Sequence, residues 1–260
     1  MDALPGEDTL VASWQALAQL SPGAQVLRSG RHVAAVFPTW TPLNNAIVGG
    51  PSSAAAAAAR ALATIYGTAG VSLWAMWLRS SLLLLDTPAG VSSIEGLSRD
   101  TTTLVMTRPV TAGSSNASVV RTSIHTATLA TEQPVDVVAD PDCVPNLDGW
   151  VYVNEGAAVA GAWSYLNKTD IGLYAIGTAP TFRRRGIAAA LVRHILADAH
   201  RRGARTASLQ STRMGEPLYQ SLGFAPVARY EEWVPAVDGC TSARGSEPSA
   251  RDATDTIRAE

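Results

Sequence analysis

Between residues 187 and 196 apolar side chains return every three or four positions, at Ile187, Leu191, Ile195 and Leu196, while Arg193, Asp198 and Arg201 fall away from that stripe. This 3.6-residue period predicts an amphipathic helix over 186–202, stopped by Gly203. A second helix is predicted over 53–66, where a run of alanine, the best helix former, follows Ser52 and Ser53, either of which can cap it. Short apolar runs bounded by glycine, proline or polar residues predict strands. Gly30 opens one at Val33-Ala34 and Gly156 opens another at Val159-Ala160; further strands are predicted over 71–78, 101–107, 171–178, 206–210 and 227–234.

These elements come in the same order twice. A strand leads through a polar or proline-containing stretch to a helix; a second strand, a Gly-Leu or Leu-Gly turn (Gly96-Leu97, Leu222-Gly223) and a closing strand follow. Internal duplication explains the order economically, and coincidence between two α/β pieces is the alternative. The stretch TAGSSNAS at 111–118 has the composition of a linker. Residues 1–112 and 119–237 are accordingly expected as two halves joined across 113–118. Residues 238–260 hold almost no large apolar side chains and are expected to be a disordered tail.

Composition narrows the choice of function. The chain has 260 residues, 47% of them hydrophobic and 16% charged, enough to bury a sizeable core. A formal net charge of −2 and a pI near 6.1 argue against a nucleic-acid binder with a broad basic face. Lysine occurs once, at Lys168, so arginine carries the remaining positive charge. Two cysteines, Cys143 and Cys240, and four scattered histidines leave no disulfide framework and no metal cage; His194 and His200 point to different faces of their helix. The apolar runs near 71–78 and 82–85 are too short and broken to cross a bilayer, and no leader pattern precedes the first helix. The expected setting is soluble and cytoplasmic, without membrane or nucleic-acid partners.

The chemistry is concentrated between Asp170 and Trp233. A mostly apolar strand ends at Ile176-Gly177-Thr178, Ala179-Pro180 breaks it, and Arg183-Arg184-Arg185-Gly186-Ile187-Ala188-Ala189 leads into the helix. The first amides of a helix lack internal partners and the dipole adds positive charge there, so strand, glycine turn and helix start together make an anion site suited to a pyrophosphate. Taken singly, the arginines read equally as a solvated cluster, and Tyr219 as a half-buried aromatic. Arg183-x-x-Gly186-x-Ala188, followed after a strand by Pro217-Leu-Tyr219-x-x-Leu222-Gly223-Phe224, resembles the GCN5-related N-acetyltransferase superfamily over about 151–234. Two departures stand out: Ala188 replaces a commoner glycine, and Thr212 stands where many members have asparagine.

The resemblance implies an α/β (α+β) fold: a mixed, mostly antiparallel twisted sheet with splayed parallel central strands and flanking helices, and a degenerate copy of it in the N-terminal half. It implies acetyl-CoA as co-substrate, held by Arg183, Arg184, Arg185, Gly186, Ile187, Ala188 and Ala189, by the strand edge at Ile176, Gly177 and Thr178, and by Thr212. Gly177 is expected at a bulge. Tyr219, with an ordinary phenol pKa of about 10, is placed to protonate the leaving thiolate. The strand 171–178 offers no mid-strand carboxylate as a base, so Asp170 and Glu155 are the remaining candidates. His194 is expected to titrate uneventfully. The acceptor is expected to be an amine of a small molecule, or of a protein, with Trp40, Asn44, Asn45, Trp74, Trp77, Trp163 and Tyr165 as candidate walls. The alternatives are a non-catalytic acyl-CoA-binding regulatory module, or transfer to a hydroxyl. Exposed sheet edges permit a homodimer.

Overall fold

The protein is described by a computed structural model covering residues 3–50, 52–80, 91–130 and 144–236. The expected tail, Cys143 and Cys240 lie outside the described residues. The chain runs α1 (Glu7–Ala18), β1 (Gln25–Ser29), β2 (His32–Val36), β3 (Asn45–Val48), α2 (Ala55–Thr68), β4 (Ala75–Ser80), β5 (Leu97–Pro109), β6 (Val119–Thr122) and α3 (Ile124–Leu129). It continues with β7 (Leu147–Asn154), β8 (Ala157–Asn167), β9 (Asp170–Thr178), α4 (Ile187–Arg201), β10 (Thr206–Ser211), α5 (Glu216–Ser221) and β11 (Ala225–Pro235).

All strands join one 11-stranded sheet in the order β1-β2-β3-β4-β11-β5-β10-β9-β8-β7-β6. Neighbours are antiparallel except β3 with β4 and β9 with β10, and each parallel pair is joined by a helix, as a parallel connection requires. The unit β2-β3-α2-β4 is thus repeated as β8-β9-α4-β10, and the closing strands β5 and β11 are exchanged. β5 lies beside β10, β11 lies beside β4, and the two pair with each other in the middle. Residues 111–116 carry no helix or strand, and the sheet is continuous across that connection.

Strand alternation assigns side chains to faces. Val33 and Ala35 face the core around α1, whereas Ala34 and Val36 face α2. In the second half the faces divide likewise: Trp163 and Tyr174 lie with α1, and Ile171 and Leu173 lie under α4. Residues from both wings, including Phe37, Ile47 and Trp77 on one side and Trp163 and Tyr174 on the other, share one core with Leu10, Trp14 and Leu17 of α1. The sheet therefore curves around α1.

Helix α1 was not expected from the sequence, although Leu10, Val11, Trp14 and Leu17 have helical spacing and are buried. Its entry requires glycine: Gly6 has φ +76°, and a Cβ there would run into the Ser208 side chain. Glu7 in the first turn, where the helix dipole favours an acid, is buried against Arg79 of β4 and accepts the Tyr230 hydroxyl at 2.9 Å. Those contacts join α1 to the middle of the sheet.

The alanine helix begins differently from expectation. A 3₁₀ turn at Ser52–Ala54 precedes α2, and the residue at its N-cap is Ala54, which supplies no side-chain cap. Strand β4 begins at Ala75 rather than residue 71, because Trp74 turns to stack on Tyr66 of α2 with centroids 5.0 Å apart. The residues of α4 expected on one stripe, Ile187, Leu191, Ile195 and Leu196, are buried together.

Candidate active site

The two parallel pairs differ where they matter. β3 and β4 stay paired from Asn45 with Ala75 to Val48 with Leu78, the last residue of β3. β9 and β10 pair only at Asp170, Ile171 and Gly172 with Thr206, Ala207 and Ser208. Beyond that, β10 continues against β5 alone and β9 against β8 alone, so a gap opens toward their carboxyl ends. In sheets with parallel strands and helical crossovers, that crevice is where ligands bind.

One wall of the gap is irregular. The register of β8 with β9 shifts between Gly161 opposite Gly177 and Trp163 opposite Tyr174, leaving Ala162 to face two residues, Ala175 and Ile176. Ala175 has φ +48°, a left-handed conformation uncommon for a residue with a side chain. The bulge expected at Gly177 therefore falls at Ala175–Ile176. It re-aims the last residues of β9 and places Ile176 toward the core under α4. At the end of the strand the Thr178 hydroxyl is buried with no hydrogen-bond partner among the described residues.

The connection to α4 forms the second wall. Pro180–Phe182 make a 3₁₀ turn, and the chain then passes through Arg184 at φ +59° and Gly186 at φ +77° before α4 starts. Among the described residues no acceptor meets the backbone amides from Arg184 to Ala189, and no side chain caps the helix. A turn with left-handed residues that points successive N–H groups outward is an anion-binding concavity, here reinforced by the helix dipole. A Cβ on Gly186 would meet nothing within 4 Å, so the bend is not filled by protein side chains.

The three arginines are exposed and have no acidic partner among the described residues, but they do not act alike. Arg183 donates from Nε back to the Thr178 carbonyl at 3.1 Å, Arg185 lies over the Phe182 ring at 5.2 Å, and Arg184 holds neither contact. Ile187, the first residue of α4, is buried, while Ala188 and Ala189 remain half-buried.

The third wall is α5, which follows β10. Tyr219 packs there against the core that also holds Ile176 and Phe182, with its ring edge-on to Phe224 at 6.0 Å. Burial pushes the phenol up to about 12, above the ordinary value of 10. Gly215 makes room for it, since a Cβ there would stand 2.9 Å from Tyr219 Cε2. The exposed Thr212 hydroxyl accepts from the Gly215 amide at 3.3 Å, so it shapes the entry to α5. From the other half of the molecule, Arg108 of β5 donates to the Leu222 carbonyl and lies over Phe224, bracing the far end of α5.

Other expected site residues are placed elsewhere. Asp170 is at the paired base of the gap, on the order of 25 Å along β9 from Thr178. Its two carboxylate oxygens accept from Thr206 and Ser208 hydroxyls at 2.7 Å each, a strand-to-strand tie. Asp170→Ala is therefore expected to lower the unfolding free energy in urea by about 1–3 kcal/mol. Glu155 is exposed at φ +50° in the β7–β8 turn.

The proposed acceptor walls are mostly core. Asn44 is fully buried and bridges the Phe37 amide (2.6 Å) and carbonyl (3.1 Å), and Asn45 donates to the Pro42 carbonyl. Trp40 packs edge-on to Phe37, Trp74 on Tyr66, Trp77 between Trp14 and Tyr230, and Trp163 on Tyr174; each is buried. Tyr165 alone of that set is half-buried. His194 does not behave as an ordinary surface histidine. Burial holds its pKa below the usual value, and its Nδ1 accepts the Asn116 amide at 2.9 Å, which requires that nitrogen to be unprotonated.

Comparison with known proteins follows this geometry. Residues 145–226 match the acetyltransferase (GNAT) domain. That match lies within the C-terminal half of the chain. The whole two-winged fold is similar to a GCN5-related N-acetyltransferase from Kribbella flavida, with TM-score 0.61 and 15% identity over 88% of this chain and 95% of that one. It is also similar to an acetyltransferase of the GNAT family from Novosphingobium aromaticivorans (TM-score 0.54, 18% identity, 85% and 97% covered). A GCN5-related N-acetyltransferase-like protein from Streptococcus suis gives a TM-score of 0.53 at 15% identity, covering 88% and 99%. No curated protein matches the sequence. Among the described residues no group of three His, Cys, Asp or Glu side chains is placed to hold a metal, and no helix is long and apolar enough to cross a membrane.

Proposed function

We propose that the chain is an acyl-CoA-dependent N-acetyltransferase that moves the acetyl group of acetyl-CoA directly to an amine, in the first place that of a small molecule. The observation that carries this reading is the row of unpaired amides from Arg184 to Ala189 beside a gap that opens only in the GNAT half. The residues fit the ligand: outward amides and exposed arginines suit a pyrophosphate, and the free edge of β9 suits a chain of amide groups laid along it as an added strand.

Acetyl-CoA supplies a thioester carbonyl and a sulfur that leaves as the new amide bond forms. Backbone N–H groups around Ile176–Thr178, re-aimed by the bulge, stabilise negative charge on the carbonyl oxygen. Tyr219 donates a hydrogen bond to the departing sulfur. With its phenol near 12 it is a far weaker acid than a thiol, near 8.5, so it holds its proton while sharing it. The amine nitrogen sheds its proton to water, since neither Asp170 nor Glu155 offers a base at the gap.

We read the first half as a degenerate copy. Its parallel pair does not separate, and the loop after β3 is closed by its own side chains: a Cβ on Gly49 would meet Arg79 and Arg31. What it contributes is β5 beside β10 and the Arg108 brace.

The test is to titrate the full chain with acetyl-CoA, longer acyl-CoAs and free CoA while following the thermal midpoint, then to assay thiol release with pooled small amines. Acetyl-CoA at a hundredfold excess over its dissociation constant is expected to add about 2.7 kcal/mol of stability. No shift with any of these ligands overturns the reading. Binding without thiol release leaves a CoA-binding module in its place.

A further inference from the structure

Helix α5 is only six residues long, Glu216–Ser221, so the way its last turn closes decides where the Tyr219 ring stands. The turn closes through a left-handed glycine. Gly223 has φ +82° and its amide donates to the Gln220 carbonyl at 2.9 Å, while the Phe224 amide donates to the Tyr219 carbonyl at 3.0 Å. In this paired arrangement the side chain after the glycine packs back on the helix residue whose carbonyl it holds. Those two side chains are Phe224 and Tyr219, edge-on at 6.0 Å. The ring that backs the proposed hydrogen-bond donor is therefore placed by the end of the helix.

The Leu222 carbonyl of that turn is met from the other half of the chain. Arg108 of β5 donates to it from Nη1, and the same guanidinium lies over Phe224, with Cζ 5.9 Å from the ring centroid. The Arg108 Nε donates to the Pro109 carbonyl at 2.9 Å, which fixes the head against its own strand. A cation is favourable both at a helix C-terminus and over an aromatic face. β5 pairs with β10 and with β11, the strands before and after α5, so the arginine is carried on the same frame as the helix it meets. We infer that Arg108 is a positioning residue for acetyl transfer, holding the Tyr219 hydroxyl at the departing sulfur through the Leu222 carbonyl and the Phe224 ring. This rests on the transferase reading, and it gives residues 1–112 a part in the reaction although we read them as a copy without a cofactor site.

The test combines Arg108→Ala with Tyr219→Phe in the full chain. Arg108→Ala alone is expected to lower kcat about tenfold and to leave KM for acetyl-CoA within about twofold. In the Tyr219→Phe background the same change is expected to move kcat by less than about twofold, because the hydroxyl it positions is gone. Arg108→Met keeps an unbranched stem beside Phe224 but no donor, and completes the cycle should the alanine variant not fold. Aromatic carbon–proton NMR adds a readout that needs no acceptor. The Tyr219 ring signals are expected to shift in Arg108→Ala, while those of Tyr165 on β8 stay in place. An equal fall of kcat in both backgrounds, or no fall in either, overturns the positioning role, and so do unmoved Tyr219 signals. Shifted signals in a chain that acetylates no amine leave the contact between Arg108 and Tyr219 standing and overturn the transferase reading instead.

Discussion

Tyr219→Phe is expected to lower kcat for acetyl transfer by about 10²-fold while the dissociation constant for acetyl-CoA stays within about twofold. The reason is the position of the hydroxyl. The ring is held by Phe224 and by the space that Gly215 leaves, and the phenylalanine ring keeps those contacts. On the proposed reading the substitution removes only the donor to the departing sulfur, a contact that gains strength as charge develops there. The pH dependence has a definite sign. Burial raises the phenol to about 12, so the group stays protonated at every pH below that, and the wild-type rate should show no falling limb from Tyr219 between pH 6 and 10. Stopped-flow or single-turnover measurement of thiol release, with product release excluded from the rate, checks both points. A Phe variant with undiminished chemistry removes Tyr219 from the reaction.

What could be read from the residues is what local sequence decides. The strand 171–178, the glycine turn and the stripe Ile187, Leu191, Ile195 and Leu196 lie within one short stretch, and their periodicity and punctuation determined β9, the loop and α4. The partners of β5 and β11 did not follow in the same way. A strand of alternating burial pairs equally well with either half, and the exchange is settled by contacts such as Tyr230 with Glu7, 223 residues apart in sequence. Helix α1 had the spacing but no favourable cap, because Gly6 was selected by its close approach to Ser208.

The tryptophans mislead for a related reason. Trp40, Trp74, Trp77 and Trp163 carry the same side chain whether they wall a substrate pocket or fill a core, and only the packing around α1, or for Trp74 under α2, decides for the core. The bulge is expected at Gly177, where a side chain would obstruct the cofactor that the resemblance implies, and it falls at Ala175–Ile176 instead. Here the chain forces an alanine into φ +48° at the edge of the gap. Strain of this kind in the wall of a ligand crevice marks a place where position outweighs local preference.

The loop admits a harder test than the tyrosine. Gly186→Glu is expected to raise the dissociation constant for acetyl-CoA by about 10²-fold or more, and Gly186→Ala by roughly tenfold. Both variants place a side chain at φ +77°, where an L residue costs about 1–2 kcal/mol, so both tilt the turn out of the shape that aims the amides. The glutamate adds a negative charge at the helix start, where the pyrophosphate would lie, and like charges at that distance repel. Nothing lies within 4 Å of the new Cβ, so the alanine variant meets no clash and only the strain should register. Calorimetric titration with acetyl-CoA, beside the thermal midpoint of each variant without ligand, separates lost binding from lost structure. A glutamate variant that is folded and binds as tightly as wild type would mean that the amides after Phe182 hold no phosphate, and with that the GNAT half would lose its claim to acetyl-CoA.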